Sequence, residues 1–148
     1  MINKSFLLTL SFLIFCSCGY EPIYSTKNLN FTIGNIKKEN TLLNNEFTKT
    51  INFLKNKENN NAVDIKIQSN KEISVKSKDT KGNALTFELK ISLIVTNLDN
   101  NEDQLFSKEI TYKNSDDKFS LKQYEKELEK ILINKIVEDL INYLSNLQ

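Results

Sequence analysis

The chain has 148 residues, 20 basic and 19 acidic, with no histidine and no tryptophan. Every basic residue is a lysine, so bidentate gripping of phosphate by arginine is unavailable and anion contacts must use lysine point charges. The missing histidine removes Ser–His and Cys–His nucleophilic machinery and the usual zinc sites, and no carboxylate or Ser–Lys spacing outlines another catalytic set. We therefore expect no catalytic residues, no metal and no cofactor. The near-balanced charge argues against a nucleic-acid partner bound through a basic surface.

The first element is a leader. Lys4 gives a positive start, Ser5–Cys16 is almost wholly apolar, and Ser17, Cys18 and Gly19 close it with small residues. That is the layout of a secretory signal peptide. At ~1.5 Å per residue its apolar run reaches roughly 18 Å, short of the ~30 Å hydrocarbon core. Cys18 follows the small Ser17, as the acylated cysteine of a lipoprotein signal does, although Phe15 is bulkier than the usual residue three places before it. Cys16 follows Phe15 itself, too large for the cleavage pocket. The expectation is removal of residues 1–17 and lipidation of Cys18. The plainer reading is an ordinary secreted chain with two leftover cysteines. Removing residues 1–17 takes Lys4 away, which leaves 19 basic and 19 acidic side chains on 131 residues, the length of one domain.

Residues 18–28 read as a tether carrying the chain's single proline, Pro22. Leu29, Phe31 and Ile33 alternate with polar residues and predict a half-buried strand. Asn40 is the expected N-cap of a first helix with the stripe Leu43, Phe47, Ile51 and Leu54. A lysine- and asparagine-rich loop over 55–61 follows. Val63, Ile65 and Ile67 alternate, then Ile73 and Val75 after a polar interruption. The pattern fits a hairpin or one long bent strand and does not choose between them. Gly82 marks a turn over 79–83. The strongest strand signal is Leu85, Phe87, Leu89, Ile91, Leu93 and Val95, with Ile94 out of phase. A turn over 99–103 then leads to a return strand through Phe106, Ile110 and Tyr112.

The last element is a long helix. Ser120 with Gln123 suggests a capping box, and Phe119 against Tyr124 a hydrophobic staple. The stripe Leu121, Tyr124, Leu128, Leu132, Ile136, Leu140 and Leu144 keeps helical spacing, widened by Ile133, Val137 and Ile141 in the second half. Lys122/Glu125, Lys126/Glu129 and Glu127/Lys130 are candidate surface pairs. The sum is an α+β two-layer sandwich. Two helices lie on one face of a mostly antiparallel four- or five-stranded sheet whose other face is open and polar. The outward set is Asp64, Lys66, Gln68, Ser74, Lys76, Glu88, Lys90, Ser92, Ser107 and Glu109.

The whole chain resembles the LptE family of outer-membrane lipopolysaccharide-assembly lipoproteins, in its alphaproteobacterial form. The resemblance rests on Cys18–Gly19–Tyr20–Glu21–Pro22–Ile23–Tyr24 and on the order strand, helix, strands, helix over residues 29–148. It implies two helices on a largely four-stranded sheet, with residues 62–79 as one long strand. It also implies a plug and assembly role inside an LptD-type β-barrel, with lipopolysaccharide as cargo, on the periplasmic side of the outer membrane. Gly19, where an aspartate would signal retention at the inner membrane, agrees with that destination. The resemblance further suggests lysines near the 79–83 turn, Lys76, Lys78 and Lys81, as contacts for lipopolysaccharide phosphates. The competing reading is a periplasm-facing lipoprotein that binds a small lipid or assists an ABC-type lipid transporter.

Overall fold

The computed structural model describes residues 31–55 and 62–146. Cys18, the tether, Leu29, the loop residues 56–61 and Leu147 lie outside the described residues. In chain order the elements are β1 (Thr32–Lys38), α1 (Leu42–Ile51) with a 3-10 turn over Asn52–Leu54, β2 (Ala62–Lys78), β3 (Ala84–Asn97), β4 (Glu102–Lys113) and α2 (Lys118–Asn146). The four strands form one sheet in the order β1-β2-β3-β4. β1 and β2 are parallel, with α1 as the crossover, and the other pairs are antiparallel. This is the expected open α+β sandwich, with four strands rather than five.

The strands form where apolar and polar residues alternate, because a sheet covered on one side places every second side chain in the core. Ile65 and Ile67 of β2, Leu89, Ile91, Leu93 and Val95 of β3, and Phe106 and Tyr112 of β4 are all buried. Full burial of one such aliphatic side chain is worth ~1.5–3 kcal/mol. Phe47 and Ile51 of α1 and the run Leu132, Ile133, Ile136, Val137, Leu140, Ile141 and Leu144 of α2 close the core from the other side. The second half of α2 is thus the deeper half, as its wider apolar stripe requires.

The structure settles the one long strand. Ile65 through Lys78 run antiparallel to Asn97 through Ala84, with register shifts between Val75 and Lys78, and no hairpin interrupts β2. The far end of the β2–β3 pair is less covered than the alternation implies: Ile73, Val75 and Leu85 are exposed by 41%, 45% and 51%. Alternation reports phase, whereas burial also needs a helix above.

Four local expectations are corrected. Thr41, not Asn40, caps α1, accepting from the Asn44 amide at 3.1 Å. Asp117, not Ser120, caps α2: its Oδ1 accepts from the amides of Phe119 and Ser120 at 3.0 and 3.1 Å. Ser120 sits inside the first turn and donates its hydroxyl to Asp117 Oδ2 at 2.6 Å. The staple is absent. Phe119 is 71% exposed, and Tyr124 instead lies edge-on to Tyr112, whose hydroxyl donates to Glu125 at 2.6 Å. The candidate pairs along α2 do not close. Its ion pairs among the described residues run to the sheet, Glu129 to Lys71 and Asp139 to Lys108.

Candidate functional site

The same alternation that builds the core leaves a second set of side chains on the opposite face, where no described helix lies. All ten expected outward residues fall in that phase. Cross-strand register organises them into rows. Glu72 stands opposite Lys90, and Lys90 opposite Glu109. Asn70, Ser92 and Ser107 form the next row, and Lys66, Thr96 and Asp103 another, with Thr96 Oγ1 donating to Asp103 at 2.6 Å. Opposite charges directly across a sheet contribute roughly 0.2–1 kcal/mol each. The apolar exception is Ile94 opposite Leu105, exposed by 36% and 60%. Near β1, the Asp64 carboxylate accepts from the Asn35 amide at 2.6 Å and from the Asn35 carboxamide, which hold its pKa below the usual carboxylate value.

The three lysines singled out by sequence stand at the β2–β3 end of the sheet but are not equivalent. Lys76 is bound to Glu88, whose hydrogen bond and then charge raise its pKa. Its positive charge is already answered. The register shifts between Val75 and Ser77, and Ser77 shares a 2.6 Å hydroxyl contact with Thr86. Consecutive Lys76 and Ser77 therefore both face the open side, the mark of a β-bulge. Lys78 is exposed opposite Ala84, and Lys81 lies on the turn.

Asp79 builds that turn. It accepts from the amides of Lys81 and Asn83 at 2.9 and 2.8 Å and from the Asn83 carboxamide at 2.9 Å. The Asn83 carboxamide, followed by the amides, keeps the Asp79 pKa low. Gly82 supplies the φ of 88° that a side-chain-bearing residue rarely adopts. Lys78 and Lys81 are thus carried by a well-bonded hairpin end, and among the described residues no carboxylate pairs with either. Lys113 was missed. It stands opposite Thr86 on the open face, also without an acidic partner among the described residues. Extending the phase of Ser107 and Glu109 to the end of β4 would have found it.

This arrangement offers ammonium point charges to a phosphate or carboxylate and a polar face to a polar wall. Among the described residues no cluster of three or more metal-ligating side chains occurs, and no helix is long and apolar enough to cross a membrane.

The two-layer α+β fold is shared with solved bacterial proteins. A rare lipoprotein B from Shewanella oneidensis superposes with a TM-score of 0.55 at 18% identity, covering 78% of this chain and 98% of that one. A lipoprotein B from Nitrosomonas europaea gives 0.59 at 18% identity over 79% and 84% of the two chains. A minor lipoprotein from Acinetobacter baumannii gives 0.56 at 12% identity over 78% and 93%. No protein-family model and no curated protein matches the sequence.

Proposed function

We propose that this chain is an outer-membrane lipoprotein, acylated at Cys18, that acts as plug and assembly factor of an LptD-type β-barrel in lipopolysaccharide transport. The observation that carries the reading is the sheet's open face. Its polar, charge-alternating rows back onto a helical layer, in a fold shared with three bacterial lipoproteins. Large barrels have polar interiors, so a plug must present a polar exterior. Lys78 and Lys81, with Lys113 beside them, are the cations available to lipopolysaccharide phosphates, and Lys76 is a structural partner of Glu88. The role is non-catalytic.

Affinity purification of the full chain from its native membrane tests the reading. A large outer-membrane β-barrel should co-purify, and recovery of inner-membrane transporter subunits instead would overturn it. The lysine assignment has its own check in binding to lipid A vesicles. Lys78→Glu with Lys81→Glu should weaken binding severalfold, while Lys76→Ala should change it little. The reverse order would return Lys76 to the site.

A further inference from the structure

Apolar surface on the core-facing side of the sheet runs on past the buried region. At the β2–β3 end Ile73, Val75 and Leu85 keep the core phase but stand exposed. Val75 pairs with Phe87, and Phe87 with Tyr112. The Phe87 and Tyr112 rings lie 5.7 Å apart, and Tyr124 of α2, itself exposed, stands edge-on to Tyr112 at 6.3 Å. Asn114 brings the start of α2 to the same place. Its amide donates to the Leu85 carbonyl and its carboxamide to the Ala84 carbonyl, both at 2.8 Å. Phe119 follows in the first turn of α2, exposed as well. These side chains make one apolar shelf beside the hairpin end that carries Lys78 and Lys81.

Apolar surface gathered in one place and rimmed by charge marks a binding surface, whereas scattered exposed side chains do not. The rim selects the occupant. Neither Lys78 nor Lys81 has an acidic partner among the described residues, so a ligand for this end joins apolar substance to anionic charge. A second copy of the chain does not fit, because laying shelf on shelf would bring two lysine rims together. The wall of a large barrel does not fit either, because its interior is polar. An acylated phosphate ester meets both requirements. Lysine suits such a rim, since its methylene stem lies along apolar surface while the ammonium group stays with the phosphate.

We propose that the shelf seats an acyl chain of the lipid whose phosphate Lys78 and Lys81 hold, so that head group and chain are gripped together at one end of the sheet. This deepens the function proposed above and rests on it for the identity of the lipid.

The chain contains no tryptophan, so Phe119→Trp gives the shelf a single indole reporter. The full chain, reconstituted with phosphatidylethanolamine vesicles, is titrated with lipid A and with the phosphorylated disaccharide left by its complete deacylation. Indole emission should shift to the blue with lipid A and stay unchanged with the disaccharide. In the chain without the reporter, Val75→Thr with Leu85→Thr should weaken lipid A binding about tenfold, the worth of roughly two buried methylenes, and leave disaccharide binding as it is. Threonine keeps the strand preference of both positions, and an unchanged circular dichroism spectrum checks the fold. Lys78→Glu with Lys81→Glu should weaken both ligands. The inference falls if the emission does not move, if the folded double threonine variant binds lipid A as the wild type does, or if it loses both ligands alike. A wild type that sediments as a dimer, and whose Leu85→Thr variant sediments as a monomer, would give the shelf to a second copy and also overturn it. Failure of a barrel to co-purify would remove the plug reading and leave these lipid measurements standing, and the reverse holds equally.

Discussion

Asn44 is the residue on which two elements turn. It is 2% exposed, donates to the Glu39 carbonyl at 3.1 Å and accepts from both the amide and the hydroxyl of Ser69. It therefore fastens α1 to β2 at the place where β1 stops. Asn44→Ala would leave the Ser69 amide unpaired in a partly buried position, a cost of roughly 1–3 kcal/mol, read as a lower urea midpoint. Gly34 is constrained from the other side. A Cβ there would come within 2.4 Å of Asp64 Oδ1, so Gly34→Ala should expel that carboxylate from Asn35. In an Asp64→Ala background the same substitution should cost much less, which a double-mutant cycle by chemical unfolding will show.

Asp64, Asp79 and Asp117 all have folded pKa values below their ordinary one, because each accepts hydrogen bonds as a carboxylate. A depressed folded pKa gives stability that is present above the unfolded value of ~3.9 and lost as pH falls through the folded value. Acid titration should show a stability plateau at neutral pH and a decline below about pH 4 that Asp79→Asn makes shallower.

Among the elements, α2 gives the sharpest contrast between what the sequence implies and what forms. Ser-x-x-Gln at Ser120 is a recognised start signal, but Asp117 lies three residues earlier and its carboxylate accepts from the amides of Phe119 and Ser120, which starts the helix before Ser120. Asp117→Ala should lower the melting temperature more than Ser120→Ala, because only Asp117 accepts from the orphan amides. Equal effects would restore the capping-box reading. Strand phase was legible in β2 and β3: Ile65, Ile67, Leu89, Ile91, Leu93 and Val95 are buried as their alternation requires. Coverage was not. Ile73, Val75 and Leu85 share that phase yet stand exposed, since which strand segment lies beneath a helix is set by non-local packing. The lysines near the turn differ for a similar reason: alternation puts Lys76 on the open face, but its bond to Glu88, and the absence of an acidic partner for Lys78 or Lys81 among the described residues, follow from cross-strand register that spacing does not carry.

At the scale of the whole molecule, one face is sealed by helices and the other is left to its surroundings. If Cys18 carries the anchor, a Cys18→Ala variant should leave the membrane fraction on carbonate washing, and retention there would remove the lipid from the account. The distribution of ends along the sheet then acquires a meaning. Thr32 pairs with Ala62 at one pole, while Lys78 and Lys81 occupy the other. At ~3.3 Å per residue β2 separates those poles by roughly 50 Å. A bilayer with its headgroups measures ~40–45 Å. A molecule leashed to one leaflet near its first strand and standing upright would hold the ammonium groups of Lys78 and Lys81 at about the height of the opposite leaflet.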